Sequence, residues 1–96
     1  MTQYILLIHG NAKSNGTEEE WSRFFALGQE SGVFRGGSEI GERVVVGDPE
    51  LMKSTEHVVG YMRFDSEDKQ QILQLLDAHP VVIHGGSVEL CEMPTS

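Results

Sequence analysis

One cysteine, three prolines, seven cationic side chains and no apolar run longer than five residues are the scarcities of this 96-residue chain. Each excludes something. A lone Cys91 forms no internal disulfide, which fits a reducing compartment, and it leaves no thiolate cluster to hold a metal. The four histidines, at 9, 57, 79 and 84, show no HxH or HxxxH spacing, so no metal and no cofactor is expected. Seven Lys and Arg against fifteen Asp and Glu give a net charge of −8. Binding to a phosphate backbone or an anionic bilayer needs cations to displace counterions, so neither nucleic acid nor membrane is an expected partner. The longest apolar run, YILLI at 4–8, is too short to span a bilayer and lacks the basic flank of a signal peptide. The cytoplasm is the expected location.

What is present is enough for one folded unit. With 39% hydrophobic and 23% charged residues, the composition is that of an ordinary globular protein, and 96 residues form a single domain, 1–96, with no linker. YILLI reads as a strand, followed by a polar loop, NAKSNG. Thr17-Glu18-Glu19-Glu20 has the form of a capping box, and Trp21, Phe24, Phe25 and Gly28 recur at i, i+3, i+4 and i+7 as one apolar stripe read as core. Gly32 supplies the left-handed residue that ends many helices, so a helix is predicted over 18–31. VFRGGSEI (33–40) and ERVVVG (42–47) suggest a hairpin around Gly41, and GDPE a turn. HVVGYMRFD (57–65) is the longest strand candidate. Ser66 is the expected N-cap of a second helix with Ile72, Leu75, Leu76 and His79 on one stripe, stopped by Pro80. SVELCEM (87–93) closes the chain as a strand.

FRGGSEI and IHGGSVEL, 49 residues apart, each follow a helix and carry Gly-Gly-Ser into a strand. The chain thus reads as two strand-helix-strand units. This is the α+β, ferredoxin-like split βαβ arrangement with an antiparallel sheet, plus one additional strand. Alternation puts Ile5, Leu7 and His9 on one face of the first strand and Tyr4, Leu6 and Ile8 on the other. Two helices cover only one face of such a sheet. The second apolar face is expected to pack on a second copy, giving a barrel-like homodimer.

YILLIHG, the Gly-Gly strand after the first helix, Asp48-Pro49 ahead of VVGYMRFD, and HPVVIHGGSVEL together resemble the YCII-related, or DGPF-domain, proteins over nearly the whole chain. The resemblance implies a dimeric α/β barrel and small-molecule chemistry of mostly unassigned kind. The chain departs from the family at marked places. Asp-Gly-Pro-Phe is replaced by Asp48-Pro49-Glu50-Leu51, a downstream Glu and Lys by Lys53 and Thr55, and TEEEWSRF lacks the His proposed to pair with an Asp in the original members.

His9, at a strand end, is a candidate general base or substrate anchor if Asp48 folds over it, or else a hydrogen-bonded histidine at a sheet edge. Arg35, Tyr61 and His84 are candidate ligand contacts, with His84 beside a glycine pair that lets backbone or ligand approach closely. Neither Gly-Gly-Ser opens a helix, so neither is a phosphate cradle. Cys91 has no neighbouring base to activate it. The expected function is a small-molecule-binding or accessory homodimer with a pocket at the sheet/helix or subunit boundary. A His9/Asp48 acid–base enzyme and a regulatory or structural interaction module are the alternatives.

Overall fold

In the computed structural model, which describes residues 1–94, β1 (Thr2–His9), β2 (Phe34–Glu39), β3 (Val58–Ser66) and β4 (Val88–Met93) form one antiparallel sheet in the order β2-β3-β1-β4. Helix α1 (Glu18–Ser31) carries the chain from β1 over β3 to β2. The return from β3 over β1 to β4 runs through α2 (Lys69–Leu76) and the single turn α3 (Pro80–Ile83). This is the expected ferredoxin-like split βαβ pair, with four strands.

Of the two faces that alternation creates on β1, the helices cover the one bearing Tyr4, Leu6 and Ile8. Tyr4, Leu6 and Ile8 lie opposite Phe64, Met62 and Gly60 of β3 and beside Glu92, Leu90 and Val88 of β4. With Phe24 from α1, and Ile72, Leu75 and Leu76 from α2, they make the buried core. Phe24, Phe64, Leu6 and Ile72 are wholly removed from water, each worth roughly 1.5–3 kcal/mol of transfer free energy. Gly28 completes the α1 stripe because an added Cβ would sit 3.3 Å from Phe34.

Both ends of α1 are set locally. The Thr17 hydroxyl accepts the Glu20 amide at 3.1 Å while the Glu20 carboxylate accepts the Thr17 amide at 2.8 Å, and Gly32 closes the helix at φ 73°. Three other expectations change. ERVVVG forms no strand: residues 40–57 contain none, and Val44 and Val46 are almost fully exposed. Strand propensity is expressed only through pairing, and this segment does not pair with the free outer edge of β2. The second helix starts from Asp68, whose carboxylate accepts the Gln70 amide, whereas the buried Ser66 hydroxyl donates to the Asp68 carbonyl. Pro80 does not end that helix, which stops at Leu76; it opens α3, where its missing N–H is harmless.

The glycine pairs behave differently from each other. In β2 three steps, Phe34 to Gly37, face two on β3, Phe64 to Met62, and the extra residue is taken up at Gly36 with φ 101°. A Cβ on Gly37 would lie 2.8 Å from the Met62 Cα, so the strands approach there only because it is absent. Gly85 (φ 81°) and Gly86 lie ahead of β4, not inside it, and a Cβ on Gly86 would meet the Ala12 backbone at 2.9 Å.

Candidate functional site

Where the sheet passes beneath the N-terminal half of α1, its inward positions are Gly37 and Gly60, with Gly36 in the adjoining bulge. No side chain rises from them to fill the space. Above, Trp21 and Phe25 stack with ring centroids 5.9 Å apart, and Phe34 lies 5.9 Å from Phe25. The result is a cleft of about 710 Å³ with a glycine floor and an aromatic wall, closed by Ile40, Val59 and Val81. Trp21 and Phe25 are therefore not plain core. Phe24 of the same stripe is fully buried, whereas Phe25 keeps 39% of its surface in water at the mouth. Glu39 is the one carboxylate on the lining, so the cleft suits neutral or cationic apolar molecules better than anions.

A smaller recess of about 450 Å³ adjoins it at the end of β1 and shares Trp21, Glu39, Val59 and Val81 with the larger one. Its other walls are His9, Gly10 and the loop Ala12–Gly16, including Ser14. Behind Ser14 stands a three-membered hydrogen-bond chain. The Ser14 Oγ is 2.6 Å from His84 Nδ1, and His84 Nε2 is 2.8 Å from Glu20 Oε1. The same Glu20 oxygen is the acceptor in the capping box. The hydrogen bond from the Thr17 amide, and then that from His84, hold the Glu20 carboxyl below its usual pKa. The His84 carbonyl accepts the Lys13 amide at 2.9 Å, tying this loop to the turn after α3.

The residues singled out from sequence are dispersed. His9 lines the smaller recess, whereas Tyr61 borders the larger cleft between the inward Gly60 and Met62 and, by strand alternation, sends its side chain to the other sheet face beside Leu7. His9 Nε2 is 3.2 Å from Glu89 Oε1, and its ring stacks on His57 at 5.1 Å. Asp48 is exposed, accepts the Glu50 amide at 2.9 Å in its own turn, and shares no hydrogen bond with His9 among the described residues. Arg35 is bound to Asp65 at 3.2 Å and to the Gly32 carbonyl at 2.9 Å, and it lines neither cavity. His84 lies behind Ser14 and not on a cavity wall. Ser14 and Glu20 were not singled out. Glu20 is visible in the sequence only as a capping residue, and Ser14 only as loop polarity. Among the described residues no group of three or more His, Cys, Asp or Glu is placed to hold a metal, and no helix is long and apolar enough to cross a membrane.

No family model and no curated protein matches the chain. Among solved structures, the crystal structure of At3g17210 from Arabidopsis thaliana aligns over 100% of this chain and 97% of its own, with a TM-score of 0.46 and 16% identity. That distance transfers no residue role. Strand order and register define the ferredoxin-like fold, and no family model supports the resemblance to YCII-related proteins.

Proposed function

We propose that this protein is a small-molecule-binding or accessory protein that acts as a homodimer and holds its ligand in the cleft between α1 and the glycine-floored end of the sheet. The observation that carries the reading is the combination of that floor with the Trp21–Phe25–Phe34 wall. A volume of about 710 Å³ lies within the range of roughly 300–1,000 Å³ usual for ligand pockets. The His9/Asp48 acid–base alternative has less support, because the acid within reach of His9 is Glu89.

Pairing through the other sheet face is supported by what that face presents. Ile5, Leu7, Tyr61, Cys91 and Met93 form its half-buried centre, with Arg35, Arg63, Asp65 and Glu89 around it. A rim of both signs can complement itself across a two-fold axis.

Trp21 is the sole tryptophan and lines the cleft, so its emission reports entry. Titration with neutral apolar compounds, 1-octanol and 2-naphthol among them, is expected to change Trp21 fluorescence and raise the Tm. Phe25→Ala should weaken that binding about tenfold, equivalent to about 1.4 kcal/mol. Unchanged emission and Tm across the panel, or equal affinity in Phe25→Ala, would rule the cleft out as the binding site.

A further inference from the structure

We propose that Ser14 is an acyl-transfer nucleophile, activated by His84 and Glu20, that hydrolyses small neutral esters whose apolar acyl chain lies in the aromatic cleft. The choice of acyl chain rests on the binding site proposed above; the activation of Ser14 rests on its own geometry.

The protonation pattern follows from the partners. A carboxylate only accepts, so the neutral His84 ring carries its proton on Nε2 and donates it to Glu20. Nδ1 is then a bare acceptor, 2.6 Å from the Ser14 hydroxyl, which donates to it. This is the arrangement of a nucleophile, a base and a group orienting the base. Glu20 is itself fixed by the capping box, and His84 by the Lys13 amide on its carbonyl. A mere tie between the loop and α1 would not need Ser14 at a cavity, yet Ser14 lines the recess that adjoins the cleft across the shared Trp21, Glu39, Val59 and Val81.

In the reaction, Ser14 Oγ bonds to the ester carbonyl carbon as its proton passes to His84 Nδ1, and the carbonyl π pair moves onto oxygen. Asn15 and Gly16 line the same recess, their amides donate to no acceptor among the described residues, and these N–H groups are proposed as the donors to that oxyanion. Collapse breaks the bond to the alcohol oxygen, which takes the proton from Nδ1, leaving acyl-Ser14. Water then adds to the acyl carbon, giving a proton to Nδ1. Release of the carboxylic acid returns that proton to Ser14 Oγ. The acid product ionises, and both Glu39 in the cleft and the net charge of −8 favour its departure. Ser14 and His84 are the catalytic residues; Glu20 is a positioning residue.

The test uses the full chain, an alkyl fluorophosphonate with peptide mass spectrometry, and the hydrolysis of p-nitrophenyl acetate and octanoate. The expected result is a phosphonyl adduct on Ser14, absent from Ser14→Ala, and faster hydrolysis of the octanoate than of the acetate. Ser14→Ala and His84→Ala should each lose at least about a hundredfold in kcat/KM for the octanoate. Glu20→Gln keeps a residue able to cap α1; it should lower kcat with little change in KM, because the imidazolium formed in the transition state loses the carboxylate that orients it. A folded protein, by circular dichroism, that takes no adduct at Ser14 overturns the proposal, as does Ser14→Ala hydrolysing at the parental rate. An adduct at Ser14 with equal rates for both esters overturns the acyl assignment and counts against the cleft. Trp21 responding to 1-octanol without any adduct overturns the hydrolysis alone.

Discussion

His79 has no exposed surface, and its Nε2 has no hydrogen-bond partner among the described residues. Its Nδ1 accepts the Val81 amide at 3.2 Å, so the neutral ring must carry its proton on Nε2, among the Trp21 and Phe24 rings that meet it edge-on at 5.2 and 4.8 Å. Burial among aromatics disfavours the charged form and lowers the pKa to about 4. The folded-state pKa is below the unfolded value of about 6.5, so the unfolded chain takes up the proton first as pH falls. Stability is therefore fully present above pH 6.5 and is lost progressively down to about pH 4, by about 3 kcal/mol in total. Urea unfolding of the parent and of His79→Leu between pH 7.5 and 4.5 measures it, since the gap between the two should change across this window. A constant gap would mean that the ring is hydrated or finds an acceptor. The sequence shows the position of His79 on an apolar stripe and nothing of its partners, because a burial penalty depends on what other elements bring to the ring.

Helix α1 was legible from end to end. Its cap, stripe and stop are each written within a few consecutive residues, and the helix lies where they predict, Glu18–Ser31. Thr17→Ala should cost about 1 kcal/mol of unfolding free energy, as loss of an N-cap usually does. Because Thr17 also helps to seat Glu20, the same substitution should reduce labelling of Ser14 by the fluorophosphonate, and the two measurements together separate helix stability from site geometry. Residues 42–47 were not legible. Three consecutive valines have strand propensity, but propensity is expressed only against a partner, and Val44, Val46 and Leu51 are left in water. Arg43 donates to the Val58 carbonyl, tethering this segment at one point near β3. The start of α2 was misplaced by two residues because Ser66 and Asp68 both suit an N-cap, and only Ser66 is carried into the core by the alternation of β3.

As a whole molecule the chain is a two-layer slab, 43 × 38 × 18 Å, with its helices on one side. Its radius of gyration, 14.5 Å, exceeds the roughly 12–13 Å of a compact domain of this length, as a flat shape with one uncovered face requires. Sedimentation at tens of micromolar is expected to give the mass of two chains, and the pairing should tighten with added salt, which screens repulsion between copies that each carry −8. Leu7→Glu places a carboxylate beside Tyr61 and Glu89 at the centre of the open face, and should sediment as one chain with unchanged secondary structure. A parent protein that sediments as one chain at that concentration would show that the face needs no cover.

The sequence by itself determined α1, the two strand-helix-strand units, and which residues of β1 share a face, because capping, helical spacing and strand alternation act over a few residues; that the Tyr4, Leu6 and Ile8 side is the one covered by helices was decided by the tertiary structure. Only the tertiary structure decided that Gly36, Gly37 and Gly60 meet beneath Trp21 and Phe25, and that Ser14, His84 and Glu20 join hands from three separate segments. A cavity is made by side chains missing from one element under those present on another. A hydrogen-bond relay between residues 64 and 70 positions apart depends on how β1, α1 and α3 are packed, which no local pattern encodes.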